Sequence, residues 1–140
     1  MVDQPFRLGL IGHPVEQSIS PVLHNTALAE VGLPGRYDAV DVKPEHLSDW
    51  IGAMAQAGYH GVNVTLPHKE AVIPLMTDMS AGASAIGAVN TIIVTETGLR
   101  GENTDHIGFL APLRPFLLRR PVRSALILGA GGAARSVLYA

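Results

Sequence analysis

The sequence predicts an α/β fold: a mostly parallel sheet flanked by helices, followed by the first β-α of a Rossmann unit. Three observations carry this. Short apolar runs alternate with stretches of helical spacing, as in βαβ units. The runs are bounded by glycine or proline, the strongest local punctuators of a chain. The last apolar run leads into "LGAGGAAR", a glycine-rich turn that opens a helix.

The elements follow in order. Phe6 to Gly12 (FRLGLIG) is a buried strand closed by glycine. In "SISPVLHNTALAEVG", Ser20 suits a helix N-cap, Pro21 the first helical position and Gly32 the residue past the end. Arg36 to Val42 alternates as a second strand. A helix opens at Pro44 and Glu45 and stops at Gly58, with Leu47, Trp50, Ile51 and Met54 on one face. His60 to Pro67 is a third strand, and a helix from Lys69 to Met76 follows, bent or broken at Pro74. Ala88 to Gly98, rich in β-branched residues, is a fourth strand. "TDHIGFLAPLRPFLLRR" is helical but carries Pro112 and Pro115, which predicts a kink or two pieces. "SALILG" is the last strand. The elements divide the chain into a ligand-binding domain over 1–103 and a connecting helix with an incomplete nucleotide-binding unit over 104–140. An apolar strand without sheet neighbours is a pairing hazard. Ala125 to Ala140 is therefore expected to be disordered, to pair with another chain, or to belong to a longer one.

Composition narrows the function classes. With 140 residues, 47% hydrophobic and 16% charged, the chain can bury one proper core. A net charge of −2 suggests neither a nucleic-acid surface nor an anionic membrane as partner. There is no cysteine, no H-E-x-x-H and no G-x-S-x-G, so neither a disulfide framework, a zinc site nor a hydrolase triad is expected. No segment reaches the roughly 20 apolar residues that span a bilayer, and the early Asp3 and Pro5 argue against a signal peptide. A soluble cytoplasmic protein is the expectation, and a homodimer is compatible with it.

Open α/β sheets bind ligands beyond the carboxyl ends of their strands. Ser18 and Ser20 follow the first strand; Asn63, Thr65 and Lys69 end or follow the third; Asn90 and Thr91 lie on the fourth; Asn103, Thr104 and Asp105 follow the next turn. Hydroxyls, amides, one cation and one carboxylate at one sheet edge suit a small polyhydroxylated acid. Each residue also has a plainer reading. Ser20 and Asp105 are helix caps, Asn63 a satisfied structural amide, Thr65 a strand end, Lys69 a solvated lysine and Asn90 a sheet-edge amide. His68, beside Lys69, lines the site or packs; His24 packs or caps. Only the shared placement favours a site.

In the glycine turn, Gly129, Ala130, Gly131, Gly132 and Ala133 lead to Ala134, which fits G-x-G-x-x-A. Such glycines let the backbone turn tightly and approach a pyrophosphate, which the helix N-terminus then favours. The alternative is a plain glycine-rich strand-to-helix turn.

Taken together, "SISPVLHN", "GVNVTLPHKEAV", "GAVNTI", "ENTDHIGF" and "LGAGGAARSV" resemble, in order, segments of the shikimate dehydrogenases, and the resemblance runs from Gly9 to Ala140. It implies a substrate domain followed by a Rossmann domain, with the site in the cleft, and the NADPH-dependent, reversible reduction of 3-dehydroshikimate to shikimate in aromatic amino-acid biosynthesis. It assigns the substrate carboxylate to Ser18 and Ser20. Ring hydroxyls fall to Thr65, Asn90 and Asp105, with Asn63 in support. Lys69 becomes the catalytic acid/base beside Asp105, and the NADP pyrophosphate lies on Gly129 to Ala133. Two positions depart from the family pattern: Gln17 stands where histidine is common and His106 where glycine is common. The alternatives are a substrate-binding module inactive alone for lack of a complete cofactor domain, and a quinate dehydrogenase.

Overall fold

The computed structural model describes residues 5–119 and 122–140. Six strands form one mixed sheet: β1 Phe6–Gly12, β2 Gly35–Asp41, β3 Gly61–Val64, β4 Asp78–Met79, β5 Thr91–Thr95 and β6 Gly98–Glu102. Five helices accompany them: α1 Ser20–Glu30, α2 Leu47–Met54, α3 Ala81–Ile86, α4 Asp105–Leu117 and α5 Gly132–Tyr139. The strand order is β2-β1-β3-β5-β6-β4. β1 pairs in parallel with β2 and β3, while β5 is antiparallel to both β3 and β6. The carboxyl ends of β1, β3 and β6 therefore share an edge with the start of β5.

Side-chain alternation gives the sheet two apolar faces. Ile11, Val62, Val64 and Ile92 pack with Leu47, Ile51 and Met54 of α2, whose spacing forms one buried stripe. On the other face Leu8, Leu10, Val15 and Tyr37 form a smaller cluster. There Asn25 of α1 donates to the Tyr37 carbonyl and accepts from its N–H, both at 2.9 Å, and His24 stacks on the Tyr37 ring at 4.2 Å. This second face is incompletely covered. An open cavity of about 370 Å³, lined by Phe6, Leu28, Leu33 and Ile93 among others, lies beside α1.

Several expected elements take a different form. The stretch from Lys69 is a series of turns with a single 3₁₀ turn at Ile73–Leu75. The carbonyl of Lys69 accepts from Val89 N–H at 2.8 Å, and Ile73 N–H reaches back only three residues, to Glu70. The α-helical ladder is thus diverted at its start, and Pro74 supplies no N–H to resume it. The fourth strand begins at Thr91, not Ala88, and turns at Gly98 into β6, which was not expected. Gly101 allows this pairing: a side chain there would lie 2.8 Å from Val89 Cγ2 and 3.0 Å from Met76 Cγ. α3 was also unforeseen. Ser80 caps it by accepting from Ala83 N–H at 3.2 Å, and Gly87 ends it at φ +67. α4 runs through Pro112 and Pro115 as one helix. "SALILG" makes no ladder, because no described strand lies beside it, and Leu126 and Leu128 are exposed. α5 beyond it is anchored by Arg135. This side chain donates to the carbonyls of Ile86 at 2.8 Å and Gly87 at 3.0 Å and pairs with Glu70 at 2.7 Å.

Candidate active site

Strand register builds the site. Asn63 stands opposite Thr91, and Thr91 opposite Glu102, so Asn63, Asn90–Thr91 and Asn103–Asp105 meet at the sheet edge. Lys69 reaches the same place because Val89 N–H holds its carbonyl.

The centre is an ion pair. Lys69 Nζ donates to Asp105 Oδ2 at 2.7 Å, with side-chain exposures of 20% and 30%, so both groups are sheltered yet reachable. The other carboxylate oxygen accepts from Asn90 Nδ2 at 2.8 Å. Asn90 is buried and fixed on both sides. Its Nδ2 also donates to Thr104 Oγ1 at 3.0 Å, and its Oδ1 accepts from Thr104 N–H at 2.9 Å and Thr91 Oγ1 at 3.0 Å. Thr91 Oγ1 accepts in turn from Asn63 Nδ2 at 3.1 Å. Asp105 is the first residue of α4, where a carboxylate is favoured by the helix dipole. Its own N–H donates to Asn103 Oδ1 at 3.1 Å. Its carboxylate is thus turned to Lys69 and Asn90 rather than used as a cap.

The hydroxyl side is separate. Ser18 Oγ donates to Ser20 Oγ at 3.1 Å and accepts from Ser20 N–H at 3.2 Å. Ser18, not Ser20, therefore serves the helix start, and Ser20 is the first residue of α1. Among the described residues no hydrogen bond joins this pair to the Lys69–Asp105 group. Thr65 N–H donates to the Ile11 carbonyl at 2.9 Å, and Gly12 lies against the Thr65 side chain. A methyl group at Gly12 would collide with Thr65 Cγ2 and lie 2.8 Å from the Leu66 carbonyl oxygen. The two loops are therefore in close contact. His68 does not line the site: it is buried, with Nε2 2.6 Å from the Val42 carbonyl oxygen. His106 Nδ1 is buried without a hydrogen-bond partner among the described residues, and the ring meets Tyr139 edge-on at 5.0 Å.

The glycine turn abuts this site. A side chain at Gly132 would meet Ala88 Cβ at 3.0 Å and approach Lys69 Cδ to 4.0 Å. Gly129 has φ +115, which side-chain-bearing residues rarely adopt, and a side chain at Gly131 would meet open space. No side chain caps α5 and its first turn holds no acidic residue, so its N–H groups suit a pyrophosphate. The residues present fit a dinucleotide there.

Comparison with known proteins bears on this geometry. The profile of the "Shikimate dehydrogenase substrate binding domain" matches residues 10–92. The chain belongs to this family. A shikimate dehydrogenase (NADP(+)) of Crocosphaera subtropica is 45% identical over 94% of the chain and 46% of that protein. The crystal structure of shikimate dehydrogenase from Aquifex aeolicus superposes with a TM-score of 0.91 at 40% identity, over 99% of this chain and 52% of that one. That of Thermus thermophilus shikimate 5-dehydrogenase with NADP(H) and shikimate gives 0.85 at 43%, over 94% and 50%. The chain thus spans about half the length of the relatives it matches, 46% in the Crocosphaera case. Among the described residues no helix is long and apolar enough to cross a membrane, and no cluster of potential metal ligands occurs.

Two contributors escaped sequence reasoning. Asn25 read only as part of a helix and Tyr37 as part of a strand. The signal was available for Tyr37, since a tyrosine buried in a sheet needs a partner for its hydroxyl.

Proposed function

We propose that this chain is the substrate-binding half of an NADP-dependent shikimate dehydrogenase. The observation that carries the reading is the sheltered Lys69–Asp105 pair at 2.7 Å, framed by amides and hydroxyls and flanked by the glycine turn. Reduction of 3-dehydroshikimate turns a carbonyl into a secondary alcohol, with a hydride added to carbon and a proton to oxygen. Gly129 to Ala133 would hold the NADP pyrophosphate, and the reduced nicotinamide of the bound cofactor would supply the hydride. The Lys69 ammonium stands ready to hydrogen-bond the carbonyl oxygen, stabilise its developing negative charge and give up the proton. Asp105 orients that ammonium, and Asn90 orients Asp105. Ser18 and Ser20 offer hydroxyls to the substrate carboxylate, while Thr65, Asn90 and Asp105 face ring hydroxyls, with Asn63 in support. Fixing those groups places the reacting carbon. A cytoplasmic setting and a Rossmann unit built on the glycine turn are part of the same reading.

Calorimetric titration of the 140-residue chain with shikimate and with quinate tests the binding half. Saturable binding of shikimate, weakened in a Ser18→Ala/Ser20→Ala variant, is expected; no saturable heat refutes the reading. Tighter binding of quinate transfers the assignment to that substrate. The catalytic half is tested with this chain joined to a complete dinucleotide-binding domain. Lys69→Ala is expected to lower kcat by about 10²- to 10⁴-fold, with substrate affinity within a few-fold of the parent. Turnover within a few-fold of the parent removes Lys69 from the acid/base role.

A further inference from the structure

The amide at Asn63 faces the site with one hand and the sheet interior with the other. Its Nδ2 donates to Thr91 Oγ1 at 3.1 Å and lies 3.5 Å from the Asn90 carbonyl oxygen. Its Oδ1 accepts from the Tyr37 hydroxyl at 2.7 Å. Which way an amide points is decided by its partners. Here the far end of the chain is fixed without ambiguity, because the backbone N–H of Thr104 can only donate, and it donates to Asn90 Oδ1. Thr91 then gives its proton to that same oxygen and accepts from Asn63. The sequence of donors leaves Asn63 Oδ1 facing inward, where it needs a donor. Tyr37 is the side chain that supplies one.

We propose that Tyr37 is a positioning residue for the site, whose hydroxyl locks the Asn63 amide with its NH₂ group turned toward Thr91 and Asn90. The proposal rests on reading the site as one that holds a polyhydroxylated acid. The Asn63 NH₂ group then supports Thr91 Oγ1, which holds Asn90 and, through it, the Asp105 carboxylate that faces the ligand. Tyr37 is 3% exposed and sits on β2, away from Lys69 and Asp105, so it acts through Asn63. Its backbone is held on both sides by Asn25 and its ring by His24. Both residues belong to α1, the helix that begins at Ser20, so one tyrosine links the serine helix to the amide side of the site. Burial pushes the phenol up to about 12, which keeps its proton in place through the neutral range.

The test is Tyr37→Phe, which keeps the ring and removes only the donor, with Tyr59→Phe as a control on the opposite sheet face. In nitrogen-15 spectra of the free chain, the side-chain amide signals of Asn63 should move and their exchange with solvent quicken in Tyr37→Phe, but not in the control. Shikimate affinity should fall about five- to tenfold, the value of one good neutral hydrogen bond. That loss should vanish when Asn63 is already alanine. Unchanged Asn63 signals overturn the proposal whether or not shikimate binds. Changed signals with unchanged affinity overturn the positioning role. Failure of the parent chain to bind shikimate defeats the functional reading instead, and the amide signals still decide the role of Tyr37.

Discussion

Asn90→Ala removes the residue on which the site's hydrogen bonds converge. The bond to the Asp105 carboxylate at 2.8 Å is charge-assisted and is worth about 1.5–3 kcal/mol, and those from Thr104 N–H and Thr91 Oγ1 about 1 kcal/mol each. Water recovers part of this, since Thr104 is exposed and Asp105 partly so. The net loss is about 2–4 kcal/mol, a large share of the roughly 5–15 kcal/mol that holds a domain together. For a chain of this length that lowers the melting temperature by on the order of 10 °C. Urea melts of parent and variant, with calorimetry as a check, measure it. A loss below about 1 kcal/mol would show that Asn90 is not the hub the geometry makes it. Asn90→Asp sharpens the test. It keeps the acceptor but sets a second carboxylate against Asp105, so its deficit should shrink as the pH falls far enough to place a proton between them.

Gly12→Ala forces a methyl group against Thr65 and the Leu66 carbonyl oxygen, and is expected to cost about 2–3 kcal/mol in urea melts while weakening shikimate binding; a neutral result would mean the two loops are not in contact. Arg135→Ala releases α5 from Ile86, Gly87 and Glu70, so amide exchange over Ser136–Tyr139 should quicken about tenfold, and unchanged protection would refute the anchor. Tyr37 gives a signed alkaline effect. Its folded-state value of about 12 exceeds the ordinary 10.0, so its contribution is whole below pH 10 and is lost as pH rises from 10 to 12. Up to about 2 kcal/mol of stability should disappear across that window in the parent and not in Tyr37→Phe, as read by urea melts at stepped pH.

How much was legible in the sequence depended on whether local chemistry or distant pairing decided the outcome. β1, β2 and α2 follow from apolar spacing, whereas α1, which buries none of its residues, follows from punctuation by Pro21 and Gly32 alone; Pro44 and Gly58 also bracket α2. The stretch after Thr65 did not, because its form is set by a backbone bond between Lys69 and Val89, twenty residues apart. β6 was hidden because its glycines and charges read as a loop until Gly101 is seen packed under Val89 and Met76. The gathering of Asn63, Lys69, Asn90 and Asp105 at one edge followed from counting strands, but the inward hand of Asn63 required the register that sets it near Tyr37.

The bond from Val89 N–H to the Lys69 carbonyl has a consequence for design. It ties the lysine to the segment that carries Asn90, so ammonium, amide and carboxylate are held by bonds formed entirely within residues 63–105. None of these three bonds is made by α5 or the glycine turn, although Ser136 of α5 donates to Asn103 Oδ1, which also accepts from Asp105 N–H. The Lys69–Asp105–Asn90 cluster is therefore preassembled. It should keep its geometry when the segment after α4 is exchanged, provided the replacement presents a glycine where Gly132 passes Ala88.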